Sequence, residues 1–324
     1  MTLSIIGIDI SKLKFDLCLL GDNGKLKHKV FANTPSGFVE FSAWLKKQKV
    51  ESAHLCLEAT GTYGEALATY LFDAGHRVSI INPAVIKAYA QSQLSRTKTD
   101  KADATLIARF CLERKPPAWS PLPREVRELQ ALVRRLESLL EMRQMEVNRL
   151  EAGTSADLVR ESLTEHITFL DDEIKRTERL IRNHIDQHPT LKEHRELLIT
   201  IPGIGDTTAA KLLAELLDVK LYKSARQLAA FAGLAPCLHE SGSSIKRKAR
   251  LSKTGAPRLR KALYFPAIAA IKYNPSIKAL SVRLKERGKC PMQIIGAAMR
   301  KLVHLAYGVL KSGKPFDPLH SQNA

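Results

Sequence analysis

Ile5-Ile6-Gly7-Ile8-Asp9-Ile10-Ser11 is the stretch on which the fold turns: a β-branched apolar run near the chain start, with one acid close to its end. The run predicts a buried strand over 4–10. An acid in such a strand is costly unless it is paired, hydrogen-bonded or on a metal. Asp9 alone leaves three readings open: a metal-binding acid of a nuclease, a phosphate-site acid of an ATPase, or the frayed end of a strand. The chain on either side decides among them.

Working outward, two more short strands follow over 15–20 and 27–31, the second turn being Gly21-Asp22-Asn23-Gly24, a strong hairpin signal. Phe38, Phe41 and Leu45 have helical spacing over 37–47. A fourth strand over 53–57 ends on Glu58, and Thr60-Gly61-Thr62-Tyr63-Gly64 turns into a helix over 65–73. A fifth strand over 78–81 is closed by Asn82-Pro83, where a helix begins; a looser segment at 92–99 leads into a last helix over 101–113. Three hairpin-like strands followed by alternating helices and strands are the order of an α/β RNase H-like (RuvC-like) domain, expected over 1–117. An actin-like ATPase would need a second glycine-rich phosphate segment and an adenosine segment, and neither precedes residue 118.

Pro116-Pro117, Pro121 and Pro123 mark a linker. Beyond it, apolar residues from Val126 to Leu140 fall at three-and-four spacing. Ala152-Gly153-Thr154-Ser155 interrupts them, and Leu163, Ile167, Leu170, Ile174 and Ile181 resume the stripe. This predicts a coiled-coil helical hairpin over 118–191, suited to dimerisation. Residues 192–324 read as mainly α: helices over 207–217 and 225–232, a loop over 233–254, helices near 257–272 and 292–310, and a loosely held tail.

The charge is uneven. The net over the 324 residues is +18, made of +5 over 1–117, −3 over 118–191 and +16 over 192–324. A third this basic seeks a polyanion, and nucleic acid is the partner it fits. No apolar run approaches the roughly 20 residues that span a bilayer. The first residues lack the basic region of a signal peptide. Cys18, Cys56, Cys111, Cys237 and Cys290 are scattered, without CxxC or zinc-like spacing, so reduced thiols in a cytoplasm are expected.

Three constellations carry possible chemistry. Asp9, Glu58, Asp100 and Asp103 are four acids in an order suited to two-metal phosphoryl chemistry, with Asp100 and Asp103 on one helix face. Magnesium takes such hard oxygen ligands. Taken singly, Asp100 also reads as an N-cap and Asp103 as a first-turn acid. Ile201-Pro202-Gly203-Ile204-Gly205 has the form of a helix-hairpin-helix turn, whose Gly203 and Gly205 expose backbone N–H groups to a phosphate; a plain packing corner is the other reading. Last comes Glu240-Ser241-Gly242-Ser243-Ser244, ahead of Lys246, Arg247, Lys248, Arg250, Lys253, Arg258 and Arg260. Residues 241–289 hold 14 basic side chains against one acid, Glu286. Physics alone favours Ser241 as a phosphate contact over a nucleophile, because serine needs activation; His239 is a candidate base.

GIDIS with Asp9, CLEATGTY with Glu58, INP, KTDKADA with Asp100 and Asp103, IPGIG, FAGLAP, ESGSS, SKTG and AYGVLKSGKPFD, in this order, resemble the DEDD transposases of the insertion-sequence 110 family, the bridge-RNA-guided recombinases. The resemblance covers nearly the whole chain. It implies a RuvC-like domain, a coiled-coil dimerisation segment and a C-terminal transposase domain with a catalytic serine. By the motif, that serine is Ser241, which attacks DNA to leave a covalent phosphoserine and a free 3′-hydroxyl. Asp9, Glu58, Asp100 and Asp103 would hold Mg2+ beside the scissile phosphate. The site is composite, its acids and serine coming from different domains and often different subunits. Partners implied are target and donor DNA, a structured non-coding RNA that pairs with both, and a second copy of the chain, two dimers joining as a tetramer on DNA. A prokaryotic, nucleoid-associated location follows from the same resemblance. The competing readings are a RuvC-like metal-dependent nuclease or junction resolvase without a covalent intermediate, and a catalytically silent nucleic-acid-binding protein.

Overall fold

In the computed structural model, which describes residues 3–21, 24–59, 61, 63–94, 99–153, 156–216, 219–241 and 245–318 (backbone alone at 220, 238–241 and 245–249), the opening stretch is strand β1 (Ser4–Ile10) at the centre of a five-stranded sheet. β2 (Lys14–Leu20) and β3 (Leu26–Ala32) follow it as an antiparallel meander, and helix α1 (Pro35–Lys47) comes next. β4 (Ala53–Glu58), α2 (Glu65–Asp73), β5 (Arg77–Ile81), α3 (Pro83–Ser92) and α4 (Asp100–Arg114) complete the first unit, Met1–Pro121. The strand order is β3-β2-β1-β4-β5, with β4 parallel to both β1 and β5. This mixed sheet is the RNase H-like arrangement.

Period-2 alternation sends the sheet's side chains to two different layers. Ile6, Ile8, Phe15, Leu17, Leu55 and Leu57 pack with Phe38, Phe41 and Leu45 of α1 and with Leu67 and Leu71 of α2. Phe15 lies 5.6 Å from both Phe31 and Phe41, centroid to centroid. On the other face α4 crosses β1 over Gly7, where a Cβ would lie 2.2 Å from the Ala104 carbonyl oxygen and the Ala108 nitrogen. No side chain fits there, so the helix backbone rides directly on the sheet. Thr34 starts α1 by accepting from the Gly37 N–H, two residues earlier than the expected start.

The second unit, Leu122–Ala324, begins with the expected hairpin, α5 (Arg124–Glu151) and α6 (Asp157–Gln187). Arg143 of α5 pairs with Asp171 of α6. α7 (Pro189–Ile199), α8 (Asp206–Glu215), α9 (Ala225–Phe231), strands β6 (Pro236–Ser241) and β7 (Ile245–Leu251), and helices α10 (Pro257–Ala262), α11 (Tyr264–Tyr273), α12 (Pro275–Glu286) and α13 (Pro291–Ser312) follow. Leu129 and Leu136 of α5 and Ile181 of α6 share one core with Leu198, Leu212, Leu228, Leu259 and Leu302. By packing, therefore, 118–191 and 192–324 are not separate bodies, and the boundary falls between Pro121 and Leu122.

Two local expectations need correction. The segment expected as a loop over 233–254 holds the antiparallel hairpin β6–β7. Its alternation of Ile245, Ala249 and Leu251 with Lys246, Lys248 and Arg250 is a strand pattern hidden under a high charge. Residues 275–286, given no element from the sequence, form α12, capped by the Asn274 carboxamide oxygen on the Ile277 N–H. One buried residue, Ile277, carries that helix's packing, too few to show a period. Among the described residues no helix is long and apolar enough to cross a membrane.

Candidate active site

β1 turns Ile6 and Ile8 to the α1–α2 layer, so Gly7 and Asp9 belong to the α4 face. In the parallel register Ile8 lies beside Leu57, which brings Glu58, the last residue of β4, level with Asp9 on that same face. In the antiparallel register Asp16 of β2 stands directly opposite Asp9. The first turn of α4 supplies the rest. Thr99 is its N-cap, its hydroxyl accepting from the Ala102 N–H at 3.2 Å. The capping reading of Asp100 thus passes to Thr99, and Asp100 and Asp103 both lie in the first turn, where the helix dipole favours acids. Because Gly7 lets α4 settle onto β1, that turn comes down beside Asp9.

The electrostatics record how close these groups are. Asp9 is pushed up to about 6, first by burial and then by the charges of Asp103, Asp100, Glu58 and Asp16. Lys14, at the start of β2, answers them: its Nζ is 2.7 Å from Asp100 Oδ2 and 3.1 Å from Asp16 Oδ2. The ammonium holds Asp100 below the usual carboxylate range and is itself pushed up to about 12. The face thus carries hard oxygen donors, of which Asp100 and Asp16 share the Lys14 ammonium. By chemistry that donor set suits a magnesium-like divalent ion, with Asp9, Glu58, Asp100 and Asp103 as the residues that would hold it, and among the described residues no three of these acids bring their oxygens within 4.8 Å of one another.

Sequence reasoning missed three members of this neighbourhood. Asp16 and Lys14 share the face of Asp9 through strand register, and only the alternation of Phe15 and Leu17 into the core hinted at it. Asn33 donates from Nδ2 to the Ser11 carbonyl (3.0 Å) and to the Tyr63 carbonyl (3.1 Å), tying the β1–β2 turn to the segment after Glu58.

In the second unit, Ile201-Pro202-Gly203-Ile204-Gly205 links α7 to α8. Gly203 has φ 105°, and a Cβ there would lie 2.7 Å from the Cβ of Ala270 on α11. Asn274 Nδ2 donates to the Pro202 carbonyl at 3.4 Å. This side of the turn is taken up by packing, whereas Gly205, the N-cap of α8, has open space around it. Ser241 is the last backbone position of β6; its side chain, those of His239, Lys246, Arg247 and Lys248, and all of Gly242, Ser243 and Ser244 lie outside the described residues. Arg250 and Lys253 are exposed. Arg258 pairs with Glu137 of α5 at 3.6 Å, and Arg260 donates from Nη1 to the Ala232 carbonyl at 3.0 Å. The Lys253 N–H on the Gly233 carbonyl and the Ala256 N–H on the Phe231 carbonyl lock the FAGLAP and SKTG segments together.

His54, Cys56 and Cys111, scattered in sequence, also meet, with donor atoms within 4.8 Å of one another in the first unit's core. The His54 Nε2 lies 2.8 Å from Ser79 Oγ, which donates to the Pro117 carbonyl at 2.7 Å, and Cys111 donates to the His54 carbonyl. The ring nitrogen is thus engaged, and the group forms a buried polar chain that joins β4, β5 and the linker.

Residues 6–153 match the family described as Transposase, DEDD_Tnp_IS110, and residues 195–281 match the Transposase IS116/IS110/IS902 family. The chain is 38% identical over 320 residues to the pilin gene-inverting protein of Moraxella bovis, covering 98% of each chain. To the transposase for insertion sequence element IS1328 of Yersinia enterocolitica it is 27% identical over 351 residues, covering 97% of this chain and 98% of that one. Among solved structures, the Thermus thermophilus RuvC structure matches with a TM-score of 0.26 at 16% identity, over 35% of this chain and 97% of that one.

Proposed function

The chain belongs to the transposase family of IS110, IS116 and IS902, and on that premise we propose that it recombines DNA by serine attack on a phosphate held at the acid cluster of its RNase H-like domain. The observation that carries the reading is the placing of Glu58, Asp100 and Asp103 near enough to a half-buried Asp9 for their charges to raise it. Ser241 Oγ forms a bond to phosphorus as the bond from phosphorus to the 3′-oxygen breaks. The serine proton leaves and the 3′-oxygen takes one up, giving a phosphoserine and a free 3′-hydroxyl. Asp9, Glu58, Asp100 and Asp103 would hold the ion. When bound, Mg2+ supplies Lewis-acid charge to that phosphate and its leaving oxygen.

The basic residues of 192–324 bind nucleic acid through its backbone. Target and donor sequences are read by pairing with a structured RNA, which asks of the protein shape and charge rather than a base-reading helix. The subunits act as dimers that join on DNA.

Purified protein, guide RNA and both DNA substrates are incubated with Mg2+, and the products are resolved under denaturing conditions. A covalent protein–DNA adduct that Ser241→Ala abolishes is the expected result. An adduct that survives in Ser241→Ala removes the assigned nucleophile. DNA cleavage by the wild type without any adduct favours the metal-dependent nuclease reading. Activity untouched by Asp9→Asn removes the acids.

The pilin gene-inverting relative, similar from end to end, favours a second reading of the outcome: inversion of a segment between two sites. The same strand exchange inverts or inserts according to how the sites are arranged. A plasmid carrying the two sites head to head distinguishes them by its restriction pattern.

A further inference from the structure

The Lys14 ammonium touches two acids of the cluster, Asp100 and Asp16, and nothing in the proposed chemistry employs it. The tight β1–β2 turn fixes its place: the Ser11 N–H and hydroxyl both bind the Lys14 carbonyl, at 2.9 and 2.8 Å. From there the ammonium bridges Asp100 Oδ2 at 2.7 Å and Asp16 Oδ2 at 3.1 Å. Its two partners differ. The Asp100 side chain is 56% exposed and begins α4, while that of Asp16 is 13% exposed and lies opposite Asp9 in the sheet.

We propose that Lys14 is the resting counter-ion of the acid cluster, that it competes with the divalent ion for Asp100, and that Asp16 is the holder to which it withdraws when the ion binds. The inference rests on the metal-site reading above and adds to it a regulated entry. An ammonium on Asp100 satisfies a carboxylate that the ion also needs, so one contact must break for the other to form. The charges of Asp103, Asp100, Glu58 and Asp16 all act against ionised Asp9 in the metal-free chain, and the tethered cation offsets part of that cost. The sheltered Asp16 then gives the displaced ammonium a partner within reach, which keeps the exchange cheap in free energy. Lys14 and Asp16 are positioning residues in this account, since neither touches the reacting atoms.

Full-length protein is titrated with Mn2+, followed by electron paramagnetic resonance of the free ion, and its thermal midpoint is measured in EDTA and in Mn2+. Lys14→Met is expected to bind Mn2+ about 3- to 10-fold more tightly, the scale of one partly solvated unit charge beside a divalent ion. Its midpoint in EDTA falls, and Mn2+ raises it by more than in wild type. Lys14→Arg keeps the wild-type affinity. Asp16→Asn binds Mn2+ less tightly, because the ammonium then rests on Asp100 alone, and the effect vanishes in the Lys14→Met background.

Lys14→Met with unchanged or weaker affinity overturns the inference while the metal site stands, provided that Asp9→Asn abolishes binding. If Asp16→Asn weakens binding equally with and without Lys14, Asp16 is a ligand and its holding role is wrong. Absence of Mn2+ binding in wild type and Lys14→Met alike overturns both the inference and the metal-site reading.

Discussion

Gly7 of β1 lies so close beneath Ala104 of α4 that a Cβ at residue 7 would be 2.2 Å from the Ala104 carbonyl oxygen. The glycine therefore governs how far the helix descends, and with it the height of Asp100 and Asp103 above Asp9. Gly7→Ala is expected to lift α4, lowering stability by about 1–3 kcal/mol or more, the cost of overpacking against a backbone that cannot rotate away. Mn2+ affinity falls with it. Thermal unfolding and the same metal titration read both effects; an unchanged midpoint refutes the close approach.

The raised Asp9 carboxyl makes a pH prediction. Its folded value, about 6, exceeds its ordinary 3.8, so the native state binds the proton more tightly than the unfolded chain does. The stabilisation is complete below about 4 and is lost as pH rises through about 6. Melting curves in EDTA across this window should therefore fall with pH, and Asp9→Asn should flatten them. Divalent ions reverse the trend, because the same proton competes with the ion. Parallel curves for wild type and Asp9→Asn in EDTA would show that Asp9 does not titrate there.

Asn33 joins two carbonyls on either side of the acid face. Asn33→Ala removes both bonds, at Ser11 and Tyr63, with a stability loss of about 1 kcal/mol for a partly solvated pair. We expect a few-fold drop in Mn2+ affinity beyond what the small change in melting temperature explains. Equal affinity in the variant would show that the tie does not position the site.

The basic residues separate by partner. Lys253→Ala and Arg250→Ala, at exposed positions, should leave stability intact and each lower the slope of log affinity for nucleic acid against log salt by about 1. Arg260→Ala should act otherwise. Its Nη1 holds the Ala232 carbonyl behind α9, so its loss is read first as a lower melting temperature. A change of salt slope in Arg260→Ala without loss of stability would return that residue to the nucleic-acid surface.

Strand β1 was legible because β-branched residues in a short run leave no other reading, and its predicted bounds match the structure. The hairpin of α5 and α6 was legible for the same kind of reason, a stripe sustained over many turns. Hairpin β6–β7 was not, since five basic residues between 246 and 253 masked a period of two. Nor was α12, whose single buried residue shows no period.

Local patterning thus determined the elements, their order and four candidate acids, because periodicity and residue chemistry act over a few neighbours and are written in the chain. Which residues stand together was decided by tertiary structure. Asp16 faces Asp9 only through strand register, Lys14 reaches Asp100 across 86 residues, and α4 can bring its first turn to Asp9 only because residue 7 has no side chain. Such meetings depend on how whole elements pack, and a stretch of sequence carries no local mark of its distant partner.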